Sequence, residues 1–243
     1  MPVTTRATAV QADRLMFWLP DPDAQLTAVR LWSEVPVGDD TFVRSGDGWQ
    51  LDVSIPGAHR VEYLYTLHDE RGSVMVTDPT NPRSVDGVFG AHSWLPMPGY
   101  SEPAWLDARR REGRLTPVGF STSDGPVTGE LWAPTDTLPS AELPLLICHD
   151  GTQMARYGRL LDFVGAAIAA ATIPPLRVLL LDPGPDRNAR YAANSRYAKA
   201  LVNEVLTIIG EQIGTAGKPV LMGQSLGALA ALHAARRYPG TFA

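Results

Sequence analysis

The chain holds one cysteine among 243 residues, so no internal disulfide can staple it. Cys148 lies in the apolar run Leu145-Leu146-Ile147-Cys148 and reads as a buried core residue rather than a nucleophile. Long hydrophobic runs are missing too. The stretches around Val164–Ala171 and Leu226–Leu232 are too short and too alanine-rich to span a bilayer, so no membrane insertion is expected. Met1–Arg6 has no basic region leading into an apolar segment, so no secretory signal is read there, and a cytoplasmic protein is expected. Basic surplus is absent: 21 Lys and Arg face 26 Asp and Glu, a net charge of −5, which argues against nucleic acid as a partner. No internal repeat or low-complexity tract occurs.

What is present falls into two patterns. The first hundred residues alternate apolar and polar positions in short runs: Leu26–Trp32, Trp49–Ile55 and Arg60–Leu67. Gly46-Asp47-Gly48 and Asp69–Gly72 supply the turns, and an all-β, immunoglobulin-like sandwich is expected. The proline-rich segment from Thr77 to Pro103 reads as an ordered linker without regular ladders. Arg109-Arg110-Arg111-Glu112 reads as a solvated boundary. The six tryptophans, Trp18, Trp32, Trp49, Trp94, Trp105 and Trp132, are expected in the sandwich core and the domain interface, with one or two forming an aromatic wall as the alternative.

From Leu115 the period changes. A hairpin over Thr116–Thr122 and Val127–Ala133 leads into strand and helix in turn: strands at Leu145–His149, Arg177–Leu181 and Lys218–Met222, helices at Tyr157–Ala171, Asn194–Ile213 and Ser225–Tyr238. Such alternation implies right-handed βαβ units on a parallel sheet, in the order of an α/β-hydrolase core. Domains are therefore expected at 1–114, sandwich plus linker, and 115–243, the α/β-hydrolase part.

The chemistry concentrates at Gly223-Gln224-Ser225-Leu226-Gly227, where a short strand runs into a helix. This reads as a nucleophile elbow with Ser225 as nucleophile and the Leu226 N–H as first oxyanion donor. The second donor is expected from the loop His149-Asp150-Gly151-Thr152, as the N–H of Gly151 or of Thr152. The unusual triad order His149, Asp150, Ser225 is weighed against His149 as a structural residue, and the structural reading is preferred. After Ser225 the sequence has no Asp or Glu. His233 follows eight residues along the same helix, roughly 12 Å down its axis, too far to act as base. The chain therefore reads as the front part of a hydrolase, an incomplete core lacking its C-terminal strands, with negligible activity and a marginal fold expected. Arg187, in the loop Asp182–Tyr191, is open between an anion-binding role and an ordinary surface arginine.

These residues resemble the enterochelin (ferric enterobactin) esterase family, in the esterase D group of α/β hydrolases. The likeness rests on Val61–Tyr65, Asp78-Pro79, Asn81-Pro82, Ser93 and Met97-Pro98 in front. Behind, it rests on His149-Asp150-Gly151, Arg187, Tyr191, Asn194, Tyr197, Glu204-Val205-Leu206 and the Ser225 elbow. It implies a cytoplasmic esterase opening ester bonds of a catecholate siderophore for iron release. Ser225 would attack a serine-ester carbonyl and Arg187 would contact the catecholate. Arg190 stands where the family carries an acidic residue and would change the charge of the substrate pocket. The partner is a small-molecule ester. Iron would belong to the substrate, and no cofactor or resident metal is expected. A noncatalytic glycan- or siderophore-binding protein, and another esterase or acyltransferase of the superfamily, are the competing readings.

Overall fold

A computed structural model describes residues 7–243, and the reading of Met1–Arg6 lies outside the described residues. The chain divides into two compact units, Met1–Glu102 and Pro103–Ala243.

In the front unit, β1 (Ala9–Gln11), β2 (Arg14–Pro20), β4 (Val43–Ser45) and β5 (Gly48–Ser54) form one sheet in the order β1-β2-β5-β4. β3 (Ala28–Ser33), β6 (Arg60–Asp69), β8 (Ser84–Gly87) and β9 (Gly90–Pro96) form a second in the order β3-β6-β9-β8, and β7 (Gly72–Val76) also pairs with β6. Alternation sends one face of each sheet inward, so Phe17, Leu51, Val29, Val61, Tyr63, Tyr65 and Leu95 share one core between the sheets. The proline-rich segment is not a linker. It supplies β8 and β9, because Pro79, Pro82 and Pro98 lie outside those strands and Pro96 occupies only the last position of β9, opposite Arg60, so the other ladder N–H groups remain free to pair.

The second unit begins earlier than the charge run suggests. Arg111 N–H donates to the Gly165 carbonyl at 2.8 Å, Arg110 pairs with Asp162 at 2.8 Å, Arg111 pairs with Asp136, and Trp105 packs edge-on against Phe163. These contacts attach residues 103–112 to the unit they precede. β10 (Gly113–Thr122) and β11 (Gly125–Pro134) form the expected hairpin, followed by β12 (Leu145–His149), α1 (Gly151–Arg156), α2 (Leu160–Ala169) and β13 (Arg177–Leu181). α3 (Arg187–Tyr191), α4 (Ser195–Ala200), α5 (Leu206–Gln212), β14 (Val220–Met222) and α6 (Leu226–Arg237) complete it. A π-helical turn, Leu201–Val205, joins α4 to α5. The sheet order is β10-β11-β13-β12-β14, with β12 parallel to both β13 and β14, which is α/β-hydrolase-like. The free edge of β14 and the α6 surface expose Val220, Leu229 and Leu232. Arg177 is fully buried at the start of β13 and donates to the carbonyls of Leu138, Pro139, Ala141 and Gly214, gathering two loop segments with no counter-ion among the described residues. Trp132 is buried in this unit, whereas Trp18 and Trp49 are buried in the front one.

The resemblance segments of the front unit meet at one buried carboxylate. Asp78 Oδ2 accepts from Thr8 Oγ1 at 2.6 Å, Tyr63 Oη at 2.7 Å and Tyr65 Oη at 2.8 Å. Its Oδ1 accepts from the N–H and hydroxyl of Thr80, and its own N–H donates to buried Ser93. Asn81 donates to Tyr63 Oη and to the Trp94 carbonyl. Burial, followed by the Asp78 charge, raises both tyrosine pKa values. These five hydrogen bonds offset the cost of burying the carboxylate, and removing it leaves its buried donors without an acceptor. Asp78→Ala leaves the Tyr63 and Tyr65 hydroxyls without this acceptor and is expected to destabilise the front unit by about 2–5 kcal/mol in urea titration. A loss below about 1 kcal/mol, the worth of one ordinary hydrogen bond, would show that the network does not hold this unit together.

Candidate active site

Ser225 joins β14 to α6 with φ 53° and ψ −123°, a backbone state that L-residues avoid and that tight packing must hold in place. The flanking glycines explain how. A Cβ on Gly223 would lie 2.3 Å from the Gly227 carbonyl carbon. One on Gly227 would lie 3.1 Å from Asp150 Oδ2 and 3.2 Å from His149 Cβ. The turn therefore closes with bare backbone at Gly223 and with little room for a side chain at Gly227, and Ser225 is left exposed at its apex. Leu226 opens α6, so its N–H belongs to the amides that a helix leaves without an intrahelical acceptor.

The loop after β12 comes to the same place. Asp150 adopts a left-handed conformation, φ 52° and ψ 40°, and Gly151 opens α1. A Cβ on Gly151 would fall 2.4 Å from Leu180 Cα, so this glycine serves a close approach to β13. Thr152 Oγ1 donates to Asp182 Oδ1 at 2.6 Å, which braces the first turn of α1. Gly151 and Thr152, like Leu226, contribute N–H groups from a helix start, and the contact of Gly227 with Asp150 sets the two helix starts side by side. Such an arrangement can stabilise negative charge developing on a carbonyl oxygen.

Arg187 and Asp150 form a bidentate pair: Nε to Oδ1 and Nη2 to Oδ2, each 2.7 Å. This bond raises the Arg187 pKa, and the side chain remains partly open to solvent. Arg190, expected at the substrate, is turned inward. It is buried, its Nη2 donates to the Pro126 carbonyl at 3.0 Å, and its guanidinium lies 5.6 Å from the Tyr197 ring. On a helix of only five residues, Arg187 and Arg190 do not share the same environment, and Arg190 fits a positioning role.

His149 ends β12 fully buried, with Tyr191 and Tyr197 edge-on at 5.0 and 5.7 Å. Neither ring nitrogen has a hydrogen-bond partner among the described residues; the Met222 backbone opposes the ring's deprotonation without reaching full hydrogen-bond geometry. Burial pulls its pKa down to about 4, against the opposing pull of Asp150. It is a packing residue and not a base for Ser225. His233 Nε2 stands 3.4 Å from Ser195 Oγ, engaged with a different serine. Cys148 is buried, and burial followed by the Asp150 charge pushes its thiol up to about 12, where it is not a nucleophile. Among the described residues, no histidine and acid complete a triad with Ser225. The Asp150–Arg187 pair and the Tyr191–His149–Tyr197 stack were not derivable from spacing; the resemblance segments were the one signal that these residues belong together.

The buried histidine gives a pH signature. The unfolded ring protonates near 6.5 and the folded ring only near 4, so the unfolded state binds more protons between them. The contribution is fully present above pH 6.5 and is lost as pH falls from there toward 4, amounting to about 3 kcal/mol. His149→Phe is expected to flatten that part of the stability profile, measured as urea midpoints at pH 7 and pH 4.5. An equal loss in both proteins would place the acid sensitivity elsewhere.

No helix among the described residues is long and apolar enough to cross a membrane. Compared with curated protein sequences, the chain matches none. Among solved structures, the ferric enterobactin esterase of Salmonella typhimurium superposes with a TM-score of 0.77 at 20% identity, covering 97% of this chain and 72% of that one. The enterobactin esterase of Shigella flexneri, solved in the presence of enterobactin, gives 0.73 at 20%, covering 98% and 72%. At this identity the likeness is one of fold. The model of the family described as "Putative esterase" matches residues 122–243, half of the chain, and covers both the Gly151 loop and the Ser225 elbow. The chain belongs to that esterase family.

Proposed function

We propose that this chain is built for serine-dependent hydrolysis of carboxylic esters, with a catecholate siderophore of the enterobactin type as substrate. The observation that carries the reading is the strained, exposed Ser225 at the start of α6, packed through Gly227 against the Gly151 loop. Ser225 Oγ attacks the ester carbonyl as its proton leaves to a base, and the oxyanion faces the N–H of Leu226 and of Gly151 or Thr152. Collapse breaks the ester C–O bond and leaves an acyl-serine, which water hydrolyses. Arg187, oriented by Asp150, offers its remaining N–H groups and its charge to the anionic catecholates. The iron is cargo of the substrate. The fold shared with enterobactin esterases over nearly the whole chain supports this substrate class, and we read the front sandwich as immunoglobulin-like. A lone, buried Cys148 suits a reducing cytoplasm.

A second reading, binding without turnover, is favoured by one observation: among the described residues nothing accepts the Ser225 proton. The two readings part under chemical rescue. On its own the chain is expected to hydrolyse nitrophenyl esters and enterobactin at least a thousandfold more slowly than a complete triad enzyme. Added imidazole should raise the rate in the wild type but not in Ser225→Ala. Binding of ferric enterobactin, read by tryptophan quenching, with no serine-dependent rescue would leave the binding reading in place.

A further inference from the structure

The front unit carries a cluster that ester hydrolysis does not use. Glu34, Glu62 and His92 each place one ligand atom within 4.8 Å of the other two. Pairing of β3 with β6 sets Trp32 opposite Leu64 and Ser33 opposite Tyr63. The ladder runs one step further, with Glu34 N–H donating to the Glu62 carbonyl at 3.2 Å. Two carboxylate residues therefore stand directly opposite each other on one sheet, an arrangement that costs stability unless a cation lies between them.

Arg60 compensates one oxygen of Glu62, and the surrounding side chains orient Glu62 and His92 toward a common point with Glu34. Arg60 Nη2 holds Glu62 Oε1 at 2.8 Å while its guanidinium stacks 4.4 Å from the Trp94 ring centroid. The other oxygen, Oε2, lies 3.6 Å from His92 Nδ1. That is too long for a hydrogen bond, yet it is close to the roughly 3.4 Å that separates two donors on one tetrahedral zinc with bonds of about 2.1 Å. The His92 ring packs against Trp32 at 5.0 Å between centroids and is only 12% exposed, so its orientation is fixed. One imidazole and two carboxylates, with Glu62 steadied by Arg60 and His92 by Trp32, make a donor set for a borderline first-row metal. Calcium and magnesium, which prefer oxygen alone, fit it less well.

We propose that Glu34, Glu62 and His92 bind a divalent transition metal of the zinc type, with water filling the remaining position. The ion neutralises the opposed carboxylates and ties the exit of β3 to β6 and β9. The site lies wholly within the front unit, so it stands or falls separately from the esterase reading.

The test is calorimetric titration of the chelator-treated full chain with zinc chloride, with calcium chloride in parallel and unfolding midpoints recorded by circular dichroism. One equivalent of zinc is expected to bind and raise the midpoint. Glu34→Gln and His92→Ala are each expected to weaken binding about tenfold or more. Glu34 is exposed and its charge opposes that of Glu62, so Glu34→Gln should have a metal-free midpoint no lower than the wild type, which separates a lost ligand from a lost fold. Ser225→Ala should bind zinc as the wild type does. Absence of zinc binding overturns the proposal, and so does a zinc response untouched by both variants, which would place the ion on His59, His68 or His233. A calcium response as strong as that to zinc would also overturn it.

Discussion

Gly227 lies so close to Asp150 and His149 that even one methyl group would press on them, and the position of Ser225 depends on this approach. Dispersion and packing are gained only when the start of α6 and the loop after β12 sit in contact, and that contact holds Ser225 in its unfavourable backbone state. Gly223 repeats the constraint within the elbow and Gly151 repeats it against β13. Three glycines thus give one result: two helix starts side by side beneath an exposed hydroxyl.

Electrostatics then fixes what sterics has brought together. The Asp150 carboxylate, nearly buried, is matched by both arms of Arg187, and the Asp150 backbone N–H donates to Tyr191 Oη at 3.3 Å. Tyr191 and Tyr197 enclose the neutral His149 ring, and Arg190 lies beside Tyr197. Local unfolding of this loop would have to expose a charge pair and three aromatic rings together, so the loop is rigid for a physical reason. In the front unit Asp78 plays a comparable part, drawing Thr8, Tyr63, Tyr65 and Thr80 to one point.

The elbow was legible in the sequence because the strand, the Gly-x-Ser-x-Gly turn and the helix are contiguous and Gly223 meets Gly227 four residues on, although the contact that constrains Gly227 lies on the distant His149-Asp150 loop. The strand-helix alternation after Leu115 was legible because its period is local as well. Strands β8 and β9 were hidden by prolines that lie beside the ladders or, as Pro96 does, at a strand's last position. The unit boundary was hidden because Arg110 and Arg111 find acids 52 and 25 residues away. Asp150 and Arg187 meet across 37 residues, and the inward turn of Arg190 depends on a carbonyl 64 residues earlier, so no window of sequence contains either. Local rules describe elements well; they do not say which side chain a short helix sends into the core.

The central claim is that the packing of Gly227 against the Gly151 loop makes Ser225 the reactive serine of this chain. Prolonged treatment with a fluorophosphonate, followed by peptide mass spectrometry, tests it most directly. The account predicts a slow single adduct on the peptide holding Ser225, lost when Gly227 is replaced by valine. An adduct on other hydroxyls at equal rate, or a Gly227→Val chain that still folds and labels Ser225 as fast as the wild type, would contradict it.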